Sequence, residues 1–168
     1  KLDFSDFRDD LDSKENKERF FAGIPTIPKK NKAGMSIYQL FLQHIIHSLK
    51  PGGKAAVVVP TGFITAQSGI DKRIRQKLVD EKMLAGVVSM PSNIFATTGT
   101  NVSILFIDDS NDGDVVLVDA SNLGEKIKDG KNQKTVLTPE EEQQIIDVFN
   151  TKETVEDLSV AVSYDEIK

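Results

Sequence analysis

The sequence predicts an α/β fold: part of an open sheet of parallel strands layered with helices and ending on one antiparallel strand. Three observations carry this. Ser36 to Ile64, SIYQLFLQHIIHSLKPGGKAAVVVPTGFI, reads as an amphipathic helix, a Pro-Gly-Gly stop, a valine-rich strand and a turn. A second helix and strand follow between Ser68 and Met90. The ten residues PSNIFATTGT then lead into another apolar run, and ten are too few for the helical crossover that a parallel neighbour requires.

Each element has its own signal. The first 35 residues alternate in charge and then run through AGIPTIPKKNKAG, where proline and glycine interrupt every period. A long loop with at most one short helix near Lys14 to Phe21 is expected, and Phe4, Phe7, Phe20 and Phe21 are too apolar for a free tail. Ile37, Leu40, Phe41, Ile45 and Leu49, with Ile46 alongside, form one helical stripe. Lys50 suits the carboxyl end of that helix, and Pro51-Gly52-Gly53 terminates it. Ala55 to Val59 is a continuous apolar run, as expected for a strand covered on both faces. Ile70, Ile74 and Leu78 recur every four residues among Lys72, Arg73, Arg75 and Lys77, predicting a helix over Ser68 to Lys82 with a solvated basic face. Leu84 to Met90 and Asn101 to Asp108 are strands that should run antiparallel to each other. Val115 to Asp119 is a short strand, and Gly124 to Lys134 reads as a loop. Thr138-Pro139-Glu140-Glu141 is a capping box opening a helix whose buried face is Ile145, Ile146 and Phe149. Leu158 to Val162 closes the series as a strand.

Composition bounds the function. With 168 residues, 39% hydrophobic and 28% charged, the chain has room for one ordinary core. Zero cysteines exclude disulfides and thiolate chemistry. A net charge of −5 argues against a dedicated polyanion-binding module, so any nucleic-acid contact must be local or shared with a partner. No apolar run approaches a membrane span and the start lacks a signal-peptide pattern, so a cytoplasmic protein is expected. Gly53-Lys54-Ala55 lacks the hydroxyl residue and earlier glycine of a phosphate loop, and no serine sits in a nucleophile elbow. His44 and His47, three apart on a helix, have no Asp, Glu or Cys within a turn to complete a metal site, so none is expected.

The ordered set GMSIYQLFLQHIIHSLKPGGKAAVVVPTGFI, with ERFFAGIP before it and SMPSNIFATTGTNVSILFID after it, resembles the methylation subunit of type I restriction-modification systems, DNA adenine-N6 methyltransferases. The resemblance implies the C-terminal half of a Rossmann-like S-adenosylmethionine-dependent methyltransferase fold. In that family the cofactor glycines and the catalytic Asn-Pro-Pro-Phe lie upstream of the matching segment. All six prolines here stand apart, so no residue qualifies as catalytic. The chain therefore reads as a portion of a longer enzyme, inactive and not binding S-adenosylmethionine by itself. Residues 1–35 would pack on the domain, 36–110 would form the second half of the catalytic core, and 111–168 would be a peripheral extension.

The resemblance also implies site residues. Tyr38 and Phe41 match aromatic positions of the helix after the catalytic strand, and Phe41 aligns with a residue bordering the cofactor's adenine. Helix packing is the alternative for both. Phe95, an aromatic inside a polar loop, resembles the residue that stacks on the flipped adenine; tucking the loop onto the sheet is the alternative. Lys29, Lys30 and Lys32 are candidates for DNA phosphates, and Lys126, Lys128, Lys131 and Lys134 form a second cluster interrupted by Glu125 and Asp129. DNA and the specificity and restriction subunits of a type I complex are the implied partners. A half sheet with an open edge would also self-associate. Two other readings stay open: a non-catalytic module that docks a specificity subunit, and a methyltransferase for an acceptor other than DNA.

Overall fold

The computed structural model describes residues 5–95 and 99–167. Phe4, one of the aromatics expected to anchor the first segment, lies outside that range, as do residues 96–98 of the expected Pro91 to Thr100 turn. The elements in order are α1 (Arg8–Leu11), α2 (Tyr38–Ser48), β1 (Lys54–Pro60), α3 (Thr61–Thr65), α4 (Gly69–Asp80), β2 (Leu84–Ser89), β3 (Val102–Asp108) and β4 (Val115–Asp119). They continue with β5 (Glu125–Asp129), β6 (Asn132–Val136), α5 (Pro139–Thr151), β7 (Ser159–Val162) and α6 (Tyr164–Ile167). Three 3-10 turns, Ser5–Phe7, Lys14–Asn16 and Lys32–Gly34, punctuate the first segment.

The main sheet has five strands in the order β1-β3-β2-β4-β7. β3 inserts between β1 and β2 and runs antiparallel to both, so β1 and β2 point the same way. Ile104 pairs with Val58 on one side and Val88 on the other. The short link after β2 thus gives the reversed strand expected of it. β4 runs parallel to β2, and β7 is antiparallel to β4, so these two strands beyond residue 111 extend the same sheet, while β5 and β6 form a separate two-stranded sheet.

Helices cover the two faces unequally. Leu42, Ile46, Phe63, Ile74 and Leu78 from α2, α3 and α4 bury the face that carries Val59, Leu105 and Ile107. On the opposite face α5 packs Val148 against Val88, Val116 and Val118, with Phe149 4.6 Å from Phe106 between ring centres. Gly86 makes that approach possible, because a Cβ there would stand 2.6 Å from both a Phe149 ring carbon and the Val116 carbonyl oxygen. The expected capping box is present: Thr138 accepts from the Glu141 amide and Glu141 accepts from the Thr138 amide. The turn at Pro51-Gly52-Gly53 also forms, with Gly52 at a left-handed φ of +72°.

The structure corrects five local expectations. The buried side of α2 is Leu40, Leu42, Gln43 and Ile46, while Phe41 is 56% exposed. Gln43 is fully buried because it staples the incoming chain to the helix: its amide oxygen accepts from Ala22 N at 2.8 Å and its nitrogen donates to Gly23 O and Gln39 O. The basic face of α4 is partly engaged with protein groups, while Lys72 stays exposed. Arg73 donates twice to Ala22 O, Arg75 bonds the Phe63 and Ala66 carbonyls, and Lys77 pairs with Glu81. β1 is covered on one face only, leaving Val58 49% exposed, because α5 reaches no further across the sheet than Phe106. Gly124 to Lys134 is largely hairpin: β5 and β6 pair antiparallel about Gly130, which takes a left-handed φ of +62°. Finally, Val148 replaces Ile146 on the buried side of α5, and Ile146 is half exposed.

Candidate active site at the carboxyl end of the sheet

Open α/β sheets place ligands beyond the carboxyl ends of their parallel strands. Here those ends are Pro60 of β1, Ser89 of β2 and Asp119 of β4. α2 leads through its glycine turn into the start of β1, and α4 leads into the start of β2, so both helices begin at the carboxyl end. Direct bonds hold these helix starts side by side. The Tyr38 hydroxyl donates to Asp71 at 2.8 Å and Gln39 Nε2 donates to its other oxygen at 2.7 Å, joining the first turns of the two helices. Burial and then the Asp71 carboxylate push the Tyr38 phenol far above its ordinary range.

The two turns at this end are tied together. Asn101 O accepts from both the amide and the hydroxyl of Thr61, at 3.3 and 2.8 Å, and Met90 N donates to Val102 O at 2.9 Å. Asn93 takes a left-handed φ of +56° as the chain leaves β2, and Phe95 follows, 49% exposed. The hairpin holds this loop from the side: Thr135 N donates to Asn93 O at 2.9 Å, and Thr135 Oγ1 donates to Ser92 O at 2.6 Å. Thr135 is 2% exposed, a buried polar residue with both donors satisfied.

The residues singled out in the sequence distribute as follows. Tyr38 stands at the rim, its ring packed on the main core and its hydroxyl engaged by Asp71. Lys29, Lys30 and Lys32 are exposed in the stretch leading to the same end of α2. Phe95 is on the loop after β2. Phe41 lies one turn into α2 and faces an apolar groove of about 420 Å³ shared with Phe7, Leu11, Phe20, Ile37 and Leu40. Arg19 and His44 complete its lining, which carries no carboxylate. His44 and His47 are both exposed, and among the described residues no three His, Cys, Asp or Glu gather as metal ligands. Asp71, Gln43 and Thr135 were not apparent from the sequence. For Thr135 the signal was the Asp-Gly pair at 129–130 between two polar strands.

A five-stranded α/β sheet whose reversed strand lies between two parallel ones, with an aromatic loop at their carboxyl ends, is the second half of a Rossmann-like methyltransferase sheet. The chain belongs to the N-6 DNA Methylase family, whose model matches residues 3–168. It is 31% identical over 150 residues to the type I restriction enzyme MpnII methylase subunit of Mycoplasma pneumoniae, covering 88% of this chain and 26% of that protein. It is 30% identical over 138 residues to the MjaIX methylase subunit of Methanocaldococcus jannaschii, covering 80% of this chain and 23% of the relative. The chain thus spans about a quarter of the length of these relatives. Among solved structures, the type I restriction-modification methyltransferase subunit from Streptococcus thermophilus superposes with a TM-score of 0.72 at 25% identity, over 99% of this chain and 32% of that one. The EcoKI M protein gives a TM-score of 0.54 at 30% identity, over 75% and 26%. Among the described residues no helix is long and apolar enough to cross a membrane.

Proposed function

We propose that this chain forms the far wall of the catalytic cleft in a DNA adenine-N6 methyltransferase subunit of a type I restriction-modification system. The observation that carries the reading is the β1-β3-β2 arrangement with Phe95 exposed at its carboxyl end, in a chain of the N-6 DNA Methylase family. Of the described residues, those within 36–110 are the second half of the catalytic core, 5–35 pack on it, and 111–167 extend it. The unpaired outer edge of β1 and the open Ala56 and Val58 face suit the remainder of such a sheet, and alone they favour self-association.

S-adenosylmethionine, when bound, supplies the methyl group. The residues present here position and shield. Phe41 offers its ring to the cofactor's adenine within an apolar groove, and Tyr38 fixes the rim by bridging to Asp71. Phe95 stacks on the extruded adenine, a contact worth on the order of 1 to 3 kcal/mol. Lys29, Lys30 and Lys32 neutralise phosphates at the same end. The catalytic tetrapeptide comes from the rest of the polypeptide, and a specificity subunit reads the DNA sequence beside a restriction subunit, in the cytoplasm.

The test is methyl transfer by the full-length protein assembled with its specificity subunit. N6-methyladenine should accumulate, by mass spectrometry of digested DNA, only when S-adenosylmethionine and unmodified DNA are both present. Methyl incorporation into another base or another class of acceptor would overturn the reading.

A further inference from the structure

We infer that the β5–β6 hairpin is a phosphate clamp for duplex DNA, gripping the backbone beside the loop that carries Phe95. This rests on the function proposed above and adds the element that holds the DNA at that loop.

The register sorts the hairpin's residues by face. Lys126 lies opposite Thr135, and Lys128 lies opposite Gln133. Directly paired residues share a face of a ribbon, so Lys126, Lys128, Gln133 and Thr135 project together. Thr135 is the anchor: it is buried and bonded to Ser92 and Asn93. The lysine-bearing face is therefore the one turned toward the loop after β2. Lys126, Lys128 and Gln133 are nonetheless exposed, as a surface awaiting a ligand must be. Thr135 lies five residue steps from the Gly130 tip, a reach of roughly 16 Å at strand rise.

The hairpin is held firmly enough to serve as a clamp. At its base Gly124 N donates to Glu141 Oε1 at 2.9 Å, the same carboxylate that caps α5. A Cβ at Gly124 would meet Thr135 Cγ2 at 2.7 Å, so its strands close tightly at the base. Its charge also sets it apart. Residues 125–136 hold four lysines against two acids in a chain whose net charge is −5. Its apolar residues Ile127 and Val136 are 44% and 40% exposed, so the hairpin adds little to the core. A cationic, two-stranded ribbon anchored at its base beside the loop proposed to bind the target base matches the dimensions and charge of a DNA backbone and groove.

The experiment compares the full-length subunit with Lys126→Gln/Lys128→Gln, and with Lys134→Gln on the opposite hairpin face as control. Binding to a fluorescein-labelled duplex is followed by anisotropy across a salt series, and thermal melting verifies that each variant is folded. The double variant should bind about 10-fold or more weakly, and its slope of log affinity against log salt should fall by about 2, one for each lost phosphate contact. Cofactor affinity should be unchanged, and the control should keep most of its affinity and slope. An unaltered slope in the double variant overturns the clamp, as does an equal loss in the Lys134 control. Loss of specificity-subunit association with unchanged DNA binding also overturns it and makes the hairpin a protein interface. Binding decides this inference, whereas the identity of the methylated product decides the function above, so the two can fail separately.

Discussion

β1 and β2 are both valine-bearing strands that point the same way, yet they live in different environments. β2 lies between β3 and β4, with Val87 packed beneath the helices of one face and Val88 beneath α5 on the other. Among the described residues β1 pairs only with β3. Its Val59 is buried, while Val58 one residue earlier is half exposed. A run of apolar residues thus states what a strand can tolerate on each face, and the neighbouring elements decide what it receives. β1 keeps the composition of an interior strand while this chain covers one of its faces.

Substitutions in the two strands should separate accordingly. The largest effect is expected at Gly86→Ala in β2, where the added methyl meets Phe149 and the Val116 carbonyl; a loss of about 2 to 3 kcal/mol should appear in urea melts. Val88→Ala should cost about 2 kcal/mol, from lost apolar transfer and the cavity left behind. Val58→Ala should cost under about 0.5 kcal/mol in this chain, since the side chain is already in contact with water. If the two valine variants lose equal stability, the contrast between the strands is broken.

A further effect is electrostatic and depends on pH. Asp108 at the end of β3 pairs with Lys54 at the start of β1 at 3.0 Å and accepts from the Ser110 amide and hydroxyl. Burial opposes its ionisation, but these donors together hold the carboxyl below the ordinary aspartate range. A depressed folded pKa gives stability that is present above the unfolded value, about 3.9, and lost as pH falls through the folded one. Asp108→Asn should therefore be less stable than the parent by up to about 1 kcal/mol at neutral pH. The gap should close in melts below pH 4; a gap that is constant with pH would remove the charge from the explanation.

Hydrophobic patterning reported the layered fold well because the layers are held by hydrophobic contact. The helix over Tyr38–Ser48, the reversed β3 and the Thr138 cap all follow from period, link length or capping chemistry. Polar contacts were less legible. Gln43 interrupts the apolar stripe of α2 yet is its most buried residue, because its partners are the Ala22 and Gly23 backbone groups some twenty positions away. The hairpin escaped notice because Ile127 and Val136 are exposed, so no apolar alternation marks its strands. Phe95 was visible as an aromatic out of pattern, whereas Phe41 read as part of the apolar stripe of α2, and the exposure of both is what burial-based reasoning cannot supply from sequence.

Phe95 is where the account is most directly open to measurement. In the full-length subunit, single-turnover methyl transfer should fall about 5-fold or more in Phe95→Ala, the lower end expected for a lost base stack, and recover in Phe95→Trp. S-adenosylmethionine affinity measured by calorimetry should stay the same in both. An alanine variant that methylates adenine at the parent rate, with cofactor binding intact, would contradict the placement of the target base at this end of the sheet.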